Sequence, residues 1–305
     1  MKYAIWGAAV CLVLAACDGG SRYSSEESAS SIQGAIGSSL ASSSSTESQY
    51  SSSSTQARCS DVLAQVNRSA ARDALEQFFI QKDLSAIDRF WKDPYIQHNP
   101  IAQSGVENFR NVFQSFLGSV EYEIYGVWAE CDLALVLGRY GGTGIIFDMF
   151  RLDDGKFIEH WDSDGGQATA SIGSSVFTTL DAEKTHYNRE QITSLYEDVL
   201  IPGGDNITTL SVGTYLDESR LLSRDYLGIS LSQDSSGRME SREYKKIHHV
   251  IADGDFVFVL AEATVNGETT AIYDLYQLED GLAFQYWSSR RATPTNSSVD
   301  FPGIF

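Results

Sequence analysis

The sequence predicts an α+β fold, and it predicts it twice in one chain. From residue 58 onward, apolar residues at helical spacing give way to short strands separated by turn signals, and the same order then recurs. Residues 147–161, FDMFRLDDGKFIEHW, align without a gap on residues 273–287, YDLYQLEDGLAFQYW, at a constant offset of 126. Asp148, Leu152, Asp154, Gly155 and Trp161 thus return as Asp274, Leu278, Asp280, Gly281 and Trp287, and AECDLALVLGRY at 129–140 answers ADGDFVFVLAEA at 252–263. A repeat of this kind marks related units in tandem. Helices followed by an antiparallel meander is the order of an α+β domain, not the strand and helix alternation of a doubly wound sheet.

In chain order, residues 1–16 read as a signal peptide: Lys2, an apolar core from about Ile5 to Val13, then Ala15 and Ala16 before Cys17. The run is short for a span of ~30 Å of hydrocarbon. Leu14-Ala15-Ala16-Cys17 resembles the lipobox of bacterial lipoproteins, which implies lipidation of Cys17 and a cell-envelope location, periplasmic or surface-facing, with the inner or outer membrane left open. Residues 17–57 follow as a tether. With seventeen Ser between Asp18 and Ala57, this stretch lacks the apolar surface to offset its ordering entropy. As a flexible coil it reaches roughly 32 to 38 Å.

The first unit, residues 58–170, opens on Ala71, Leu75, Phe78 and Phe79 at helical spacing, with a second short apolar stretch at Ile87, Phe90 and Trp91. An extended segment, Tyr95 to Asn99, precedes a third helix around Val106, Phe109, Val112, Phe113 and Phe116. Strands are expected at about 120–129, 132–140, 143–152 and 156–163, broken at Gly141-Gly142 and at Asp153-Asp154-Gly155. Residues 171–305 repeat the plan. A curved sheet wrapped on helices leaves a conical pocket between them.

The charge excludes one class of partner. With 22 basic against 41 acidic side chains and a net charge of −19, the chain lacks the clustered cations that give affinity for nucleic acid. Once Cys11 leaves with the signal and Cys17 carries lipid, Cys59 and Cys131 remain as the pair able to form a disulfide in an oxidising compartment. No Cys and His spacing of the zinc type occurs, and neither metal nor cofactor is expected.

The words DPYIQHNP at 93–100, Gly105, and IFDMFRLDDGKFIEHWD at 146–162 resemble the SnoaL-like group of the NTF2-like superfamily, which includes polyketide cyclases. DAEKTHYN at 181–188, HHVIADGDFVFVLAEA at 248–263 and TAIYDLYQLEDG at 270–281 resemble the same group. The resemblance implies two cone-shaped domains, each with N-terminal helices on a curved antiparallel sheet and a mostly apolar pocket. It also implies an internal pseudo-dimer and an aldol-type ring closure without metal or cofactor. Such a reaction needs a carboxylate or imidazole to take a proton next to a carbonyl, and donors to hold the enolate oxygen. His98, Asp148 and His160 are the candidate catalytic residues. Asp148 is notable as a carboxylate inside an apolar strand, a costly burial unless it is paired or neutral. Tyr95, Gln97, Asn99, Arg151, Glu159, Trp161, Asp274 and Trp287 are the candidate ligand-binding residues. Strand alternation sets a condition on these assignments: Trp161 and Glu159 share one face of their strand, and His160 takes the other.

The second unit departs from the pattern. It has Tyr215-Leu216-Asp217-Glu218-Ser219-Arg220 in place of YIQHNP, Gln277 in place of Arg151, and Gln285-Tyr286-Trp287-Ser288 in place of EHWD. It reads as a degenerate partner. Two functions follow as expectations: an enzyme of cyclase, isomerase or aldol type on a small apolar carbonyl compound, or a tethered binder of a hydrophobic ligand without turnover.

Overall fold

The computed structural model describes residues 61–141, 144–164, 177–203, 222–230, 241–294 and 301–305. The signal-like segment, Cys17, the Ser-rich stretch, Cys59 and the Tyr215 to Arg220 word lie outside them. Helix α1 (Asp61–Leu75) runs into a π-type turn at Glu76–Ile80, then come α2 (Ala86–Phe90), strand β1 (Trp91–Gln97) and α3 (Val106–Phe113). Strands β2 (Tyr122–Glu130), β3 (Leu133–Tyr140), β4 (Gly144–Asp153) and β5 (Lys156–Asp162) complete the first half. The second half has α4 (Thr185–Ser194), a π-type turn at Leu195–Leu200, then β6 (Leu222–Ser230), β7 (Glu243–Asp253), β8 (Phe256–Val265), β9 (Glu268–Glu279) and β10 (Leu282–Ala292). Among the described residues no helix is long and apolar enough to cross a membrane.

The described residues form two five-stranded sheets, ordered β1-β5-β4-β3-β2 and β6-β10-β9-β8-β7. The order is the same in both. Each is an antiparallel meander whose last strand pairs on its outer side with the first strand in parallel. The segment read from sequence as merely extended is therefore a sheet strand, β1, joined to β5 through Ile96 opposite Glu159 and Gln97 opposite His160. The hairpins Asp154-Gly155 and Asp280-Gly281 carry positive φ at both positions, the backbone of the tight turn that matches strand twist.

Alternation along the strands sorts the apolar residues into three layers. One face of the first sheet packs Val136, Phe150 and Phe157 against Leu75, Phe78 and Phe79 of the helical segment. In the second half, Val257, Val259 and Tyr276 pack likewise against Ile192, Leu195 and Tyr196. The opposite faces of the two sheets meet each other, with Phe147, Met149 and Trp161 of one against Phe258, Tyr273 and Trp287 of the other. Each such side chain, fully removed from water, contributes about 1.5 to 3 kcal/mol.

Reciprocal polar contacts fix how the sheets meet. Asn67 and Asn188 each donate to a carbonyl of the neighbouring hairpin in their own half, Cys131 O at 2.7 Å and Gly254 O at 2.8 Å. The next residue on each helix crosses to the other half: Arg68 donates to Asp253 at 2.6 Å, and Arg189 donates to Glu130. Those same carboxylates accept backbone N–H groups across the seam, Ala129 N to Asp253 at 3.0 Å and Ala252 N to Glu130 at 2.8 Å. Neither acid is left uncompensated, as burial demands. Cys131, in the β2–β3 turn, is disulfide-bonded; Cys59, its expected partner, lies outside the described residues.

Candidate functional site

The residues that the sequence singles out fall into three separate places. Asp148 on β4 and His160 on β5 turn toward the helices, into the cone of the first half. His160 Nε2 lies 3.1 Å from Asp148 Oδ1, and His160 Nδ1 lies 2.9 Å from Gln97 Oε1. The ring stacks on Phe150 with centroids 4.7 Å apart. Parallel pairing of Gln97 with His160 puts both on one face, which is why β1 is needed for the site. Gln97 in turn donates to Tyr95 Oη at 3.4 Å.

Tyr122 closes the site from β2, donating to Asp148 Oδ2 at 3.3 Å. Its ring passes over β3 where a side chain would collide: a Cβ on Gly138 would stand 2.5 Å from the Tyr122 hydroxyl. Asp148 is 2% exposed. Burial raises its carboxyl above the usual carboxylate range, against the lowering effect of the bond to His160, and nearby Asp162 adds to the rise. Burial also raises the phenols of Tyr95, Tyr122 and Tyr140, with Asp148 adding to each. All three stay neutral, and Tyr122 donates to Asp148.

The geometry gives one proton two homes. Gln97 Oε1 is an acceptor, so His160 carries a hydrogen on Nδ1. The proton between Nε2 and Asp148 Oδ1 then resides on the imidazolium facing a carboxylate, or on a neutral carboxyl donating to a neutral ring. A pair of this kind takes and returns a proton without large rearrangement, as general acid/base catalysis requires.

Asp162 stands opposite Asp148 in the β4–β5 register. It accepts from Asn99 Nδ2 at 2.8 Å, so Asn99 supports the site through Asp162. Asp148, His160 and Asp162 bring one ligand atom each within 4.8 Å of one another, a spacing that invites the question of a metal ion. The donors do not fit one. His160 Nε2 and Asp148 Oδ1 are engaged with each other, and the Asp162 carboxylate is met by Asn99 and by Arg291 at 3.0 Å, a cation where a metal would need anions.

His98, Glu159, Arg151 and Trp161 form a second set, on the other face of the sheet. His98, expected beside Asp148 and His160, is not there: the strand alternation that turns His160 into the cone turns His98 and Arg151, with Glu159 and Trp161, toward the second sheet. His98 stacks on Trp161 with centroids 4.7 Å apart and planes 10° apart. Its Nε2 is 2.9 Å from Glu159 Oε1, and its Nδ1 is 2.7 Å from Gly303 O. Arg151 donates to Glu159 at 2.9 Å and to Asp132 at 2.5 Å, with its guanidinium over the Trp161 ring. Burial works to raise Glu159, but the bonds from His98 and Arg151 outweigh it and hold the carboxyl below its ordinary range. His249 lies edge-on to Trp161, and burial, with Arg151 nearby, pushes its imidazole down to about 4.

This set ties the C-terminal residues 301–305 to the first sheet. Ile304 is buried in the layer between the sheets, and Phe305 stacks on His248. His98→Ala removes a charge-assisted partner worth about 1.5 to 3 kcal/mol. Hydrogen exchange in residues 301–305 is therefore expected to speed up, while the His160 ring signals stay in place; unchanged exchange in that tail contradicts this division of the two histidines.

The third place is Asp274, in the cone of the second half, with Trp287 turned away into the layer between the sheets beside Phe177. Asp274 accepts from Tyr196 at 2.6 Å, Tyr244 at 2.6 Å, Tyr286 at 2.7 Å and Ser288 at 2.5 Å, and pairs with buried Arg242 at 3.4 Å. At the offset of 126, Tyr286 and Ser288 replace His160 and Asp162. Both now donate to the carboxylate. Asp148, at the matching position, has two contacts, of 3.1 and 3.3 Å, for a group with about four acceptor sites.

Residues 71–160 match the SnoaL-like domain. The matched stretch runs from α1 to His160 and so includes Asp148, Gln97 and Tyr122. Among solved structures, TsrD from Streptomyces laurentii is 21% identical, with 31% of this chain and 87% of that chain covered and a TM-score of 0.26. An LEH-like epoxide hydrolase from M. tuberculosis is 17% identical, with 32% and 82% covered and a TM-score of 0.28. No curated protein matches the chain.

Proposed function

We propose that the SnoaL-like half is a cofactor-independent acid/base catalyst of cyclase, isomerase or aldol type, acting on a small and largely apolar carbonyl compound. The observation that carries this reading is the contrast between two carboxylates at matching positions. Asp274 is saturated with donors, whereas Asp148 is buried, raised by burial and left with acceptor capacity beside a histidine. Buried polar groups in a fold are ordinarily satisfied; each Asp148 oxygen has one partner, and a carboxyl that shares a proton with an imidazole and keeps spare acceptor sites is what proton abstraction needs.

In the reaction, the carboxylate of Asp148 takes a proton from the carbon next to the substrate carbonyl. The electron pair moves to the carbonyl oxygen, and neutral phenols such as Tyr122 donate to the enolate. The enolate carbon attacks a second carbonyl of the same molecule, and the resulting alkoxide takes the proton back from Asp148. No atom is left over. His160 keeps its hydrogen bond to Asp148 in either form, donating to the carboxylate or accepting from the carboxyl.

The second half is read as a degenerate copy whose cone is sealed by Tyr196, Arg242, Tyr286 and Ser288. The equal strand order of the two sheets supports reading the chain as a tandem pseudo-dimer. The lipobox-like Leu14 to Cys17 and the Ser-rich stretch support an exported protein tethered to a bacterial membrane, its globular part free to meet small ligands in the envelope. A second reading, a binder without turnover, is favoured by the engagement of both His160 ring nitrogens.

The test is a thermal-shift and native mass-spectrometry screen against small apolar ketones, enones and lipid-like metabolites, using wild type, Asp148→Asn and His160→Ala, because binding stabilises the fold by mass action. A compound that wild type converts and the variants only bind supports the catalyst. A compound bound unchanged and equally by all three establishes the binder instead.

A further inference from the structure

We infer that Arg291, on β10 of the second half, is a positioning residue for the acid/base pair of the first half, so that the site is completed across the two sheets. The inference rests on the Asp148–His160 reading above and gives the second half a part in it. Arg291 is 4% exposed, and a buried guanidinium must find acceptors. Among the described residues, the acceptors it finds lie at the end of the first sheet. Nε donates to Asp162 O at 2.6 Å and Nη2 to Ser163 O at 3.1 Å, Nη2 meets Asp162 Oδ1 at 3.0 Å, and Nη1 meets Asp164 Oδ1 at 3.0 Å.

That placement bears directly on Asp148. Asp162 and Asp148 face each other across β4 and β5, and two carboxylates so close cannot both hold charge without a nearby cation. Asn99 Nδ2 donates to Asp162 Oδ2 at 2.8 Å, and the Arg291 guanidinium lies 3.0 Å from Asp162 Oδ1. Burial raises the Asp148 carboxyl and Asp162 adds to the rise, so a cation held beside Asp162 bears on proton uptake at Asp148. The charged or titratable groups around this pair are His160 on β5, Tyr122 on β2, Tyr140 on β3, Tyr95 on β1, Asp164 after β5, and Tyr273 and Arg291 from the second half. Arg291 interacts favourably with Asp148 as well as with Asp162 and Asp164, and Arg290 adds a second fixed charge near Asp164.

The experiment needs no substrate. In the full chain labelled with 13C-Asp, the side-chain carboxyl of Asp148, assigned by its loss in Asp148→Asn, is followed against pH in wild type, Arg291→Lys and Arg291→Met. Removing the cation strengthens proton binding at the coupled carboxylates, so Arg291→Met is expected to move the Asp148 midpoint up by about one unit or more. Arg291→Lys, which keeps the charge, is expected to stay nearer to wild type. A folded Arg291→Met with the wild-type midpoint overturns the inference and leaves Arg291 as packing only. If Arg291→Met does not fold, Asp162→Asn replaces it: Arg291 then remains paired with Asp164, and the Asp148 midpoint should fall, with an unmoved midpoint again overturning the inference. Either failure is independent of the acid/base reading, which is decided by turnover in Asp148→Asn.

Discussion

Replacing Asp274 by Ala is expected to destabilise the chain by about 3 to 5 kcal/mol, the range for breaking a buried ion pair from one side. The cause is the number of groups that lose an acceptor together. Tyr196, Tyr244, Tyr286 and Ser288 all donate to Asp274, and Arg242 is buried with it. Denaturant unfolding reads the effect. A double variant, Asp274→Ala with Arg242→Met, should recover part of the loss because it removes the stranded cation too. A single-variant loss below about 1 kcal/mol, the level of an ordinary surface change, would show that the second cone does not depend on this network.

Asp148→Asn, at the matching position, is expected to behave in the opposite way. Turnover should fall by about 10² to 10⁴, the usual contribution of a positioned acid or base, while the fold is kept. The pH dependence follows from the direction of the shift. Burial raises the Asp148 carboxyl in the folded state, so ionising it costs stability as pH climbs from the ordinary carboxylate range through the raised value. Asn carries no such cost. The variant should therefore melt higher than wild type at neutral pH, and the difference should shrink as pH falls below the ordinary carboxylate range. Melting curves across that window check the sign. A variant that melts lower at neutral pH than in acid, relative to wild type, would make Asp148 a structural carboxylate like Asp274.

Much of this was legible in the chain, and the rest was not for identifiable reasons. Strand positions came out within a few residues, for instance 122–130 for an expected 120–129, because alternation and the Asp154-Gly155 turn are local signals. Asp148 stood out because a carboxylate among Ile146, Phe147 and Met149 breaks the apolar pattern. The strand character of Trp91 to Gln97 was missed, since a parallel edge partner depends on a strand some sixty residues away. Two histidines in similar words, QHNP and EHWD, looked like one site. Parity separates them, but only once it is known which face of β5 meets the helices. The crossed pairs of Arg68 with Asp253 and Arg189 with Glu130 left a faint trace, the recurrence of Asn-Arg at 67–68 and 188–189. Arg291 left none, because its partners belong to the other sheet.

The central claim is that the first cone moves protons through Asp148. The most direct measurement is deuterium exchange at the α-carbon of a small cyclic ketone in D2O, followed by NMR with wild type, Asp148→Asn and His160→Ala. It asks for the first chemical step without requiring the natural substrate. The account predicts exchange above the buffer rate with wild type and a drop of about 10² or more in Asp148→Asn, with His160→Ala also reduced. Exchange as fast in Asp148→Asn as in wild type would contradict it.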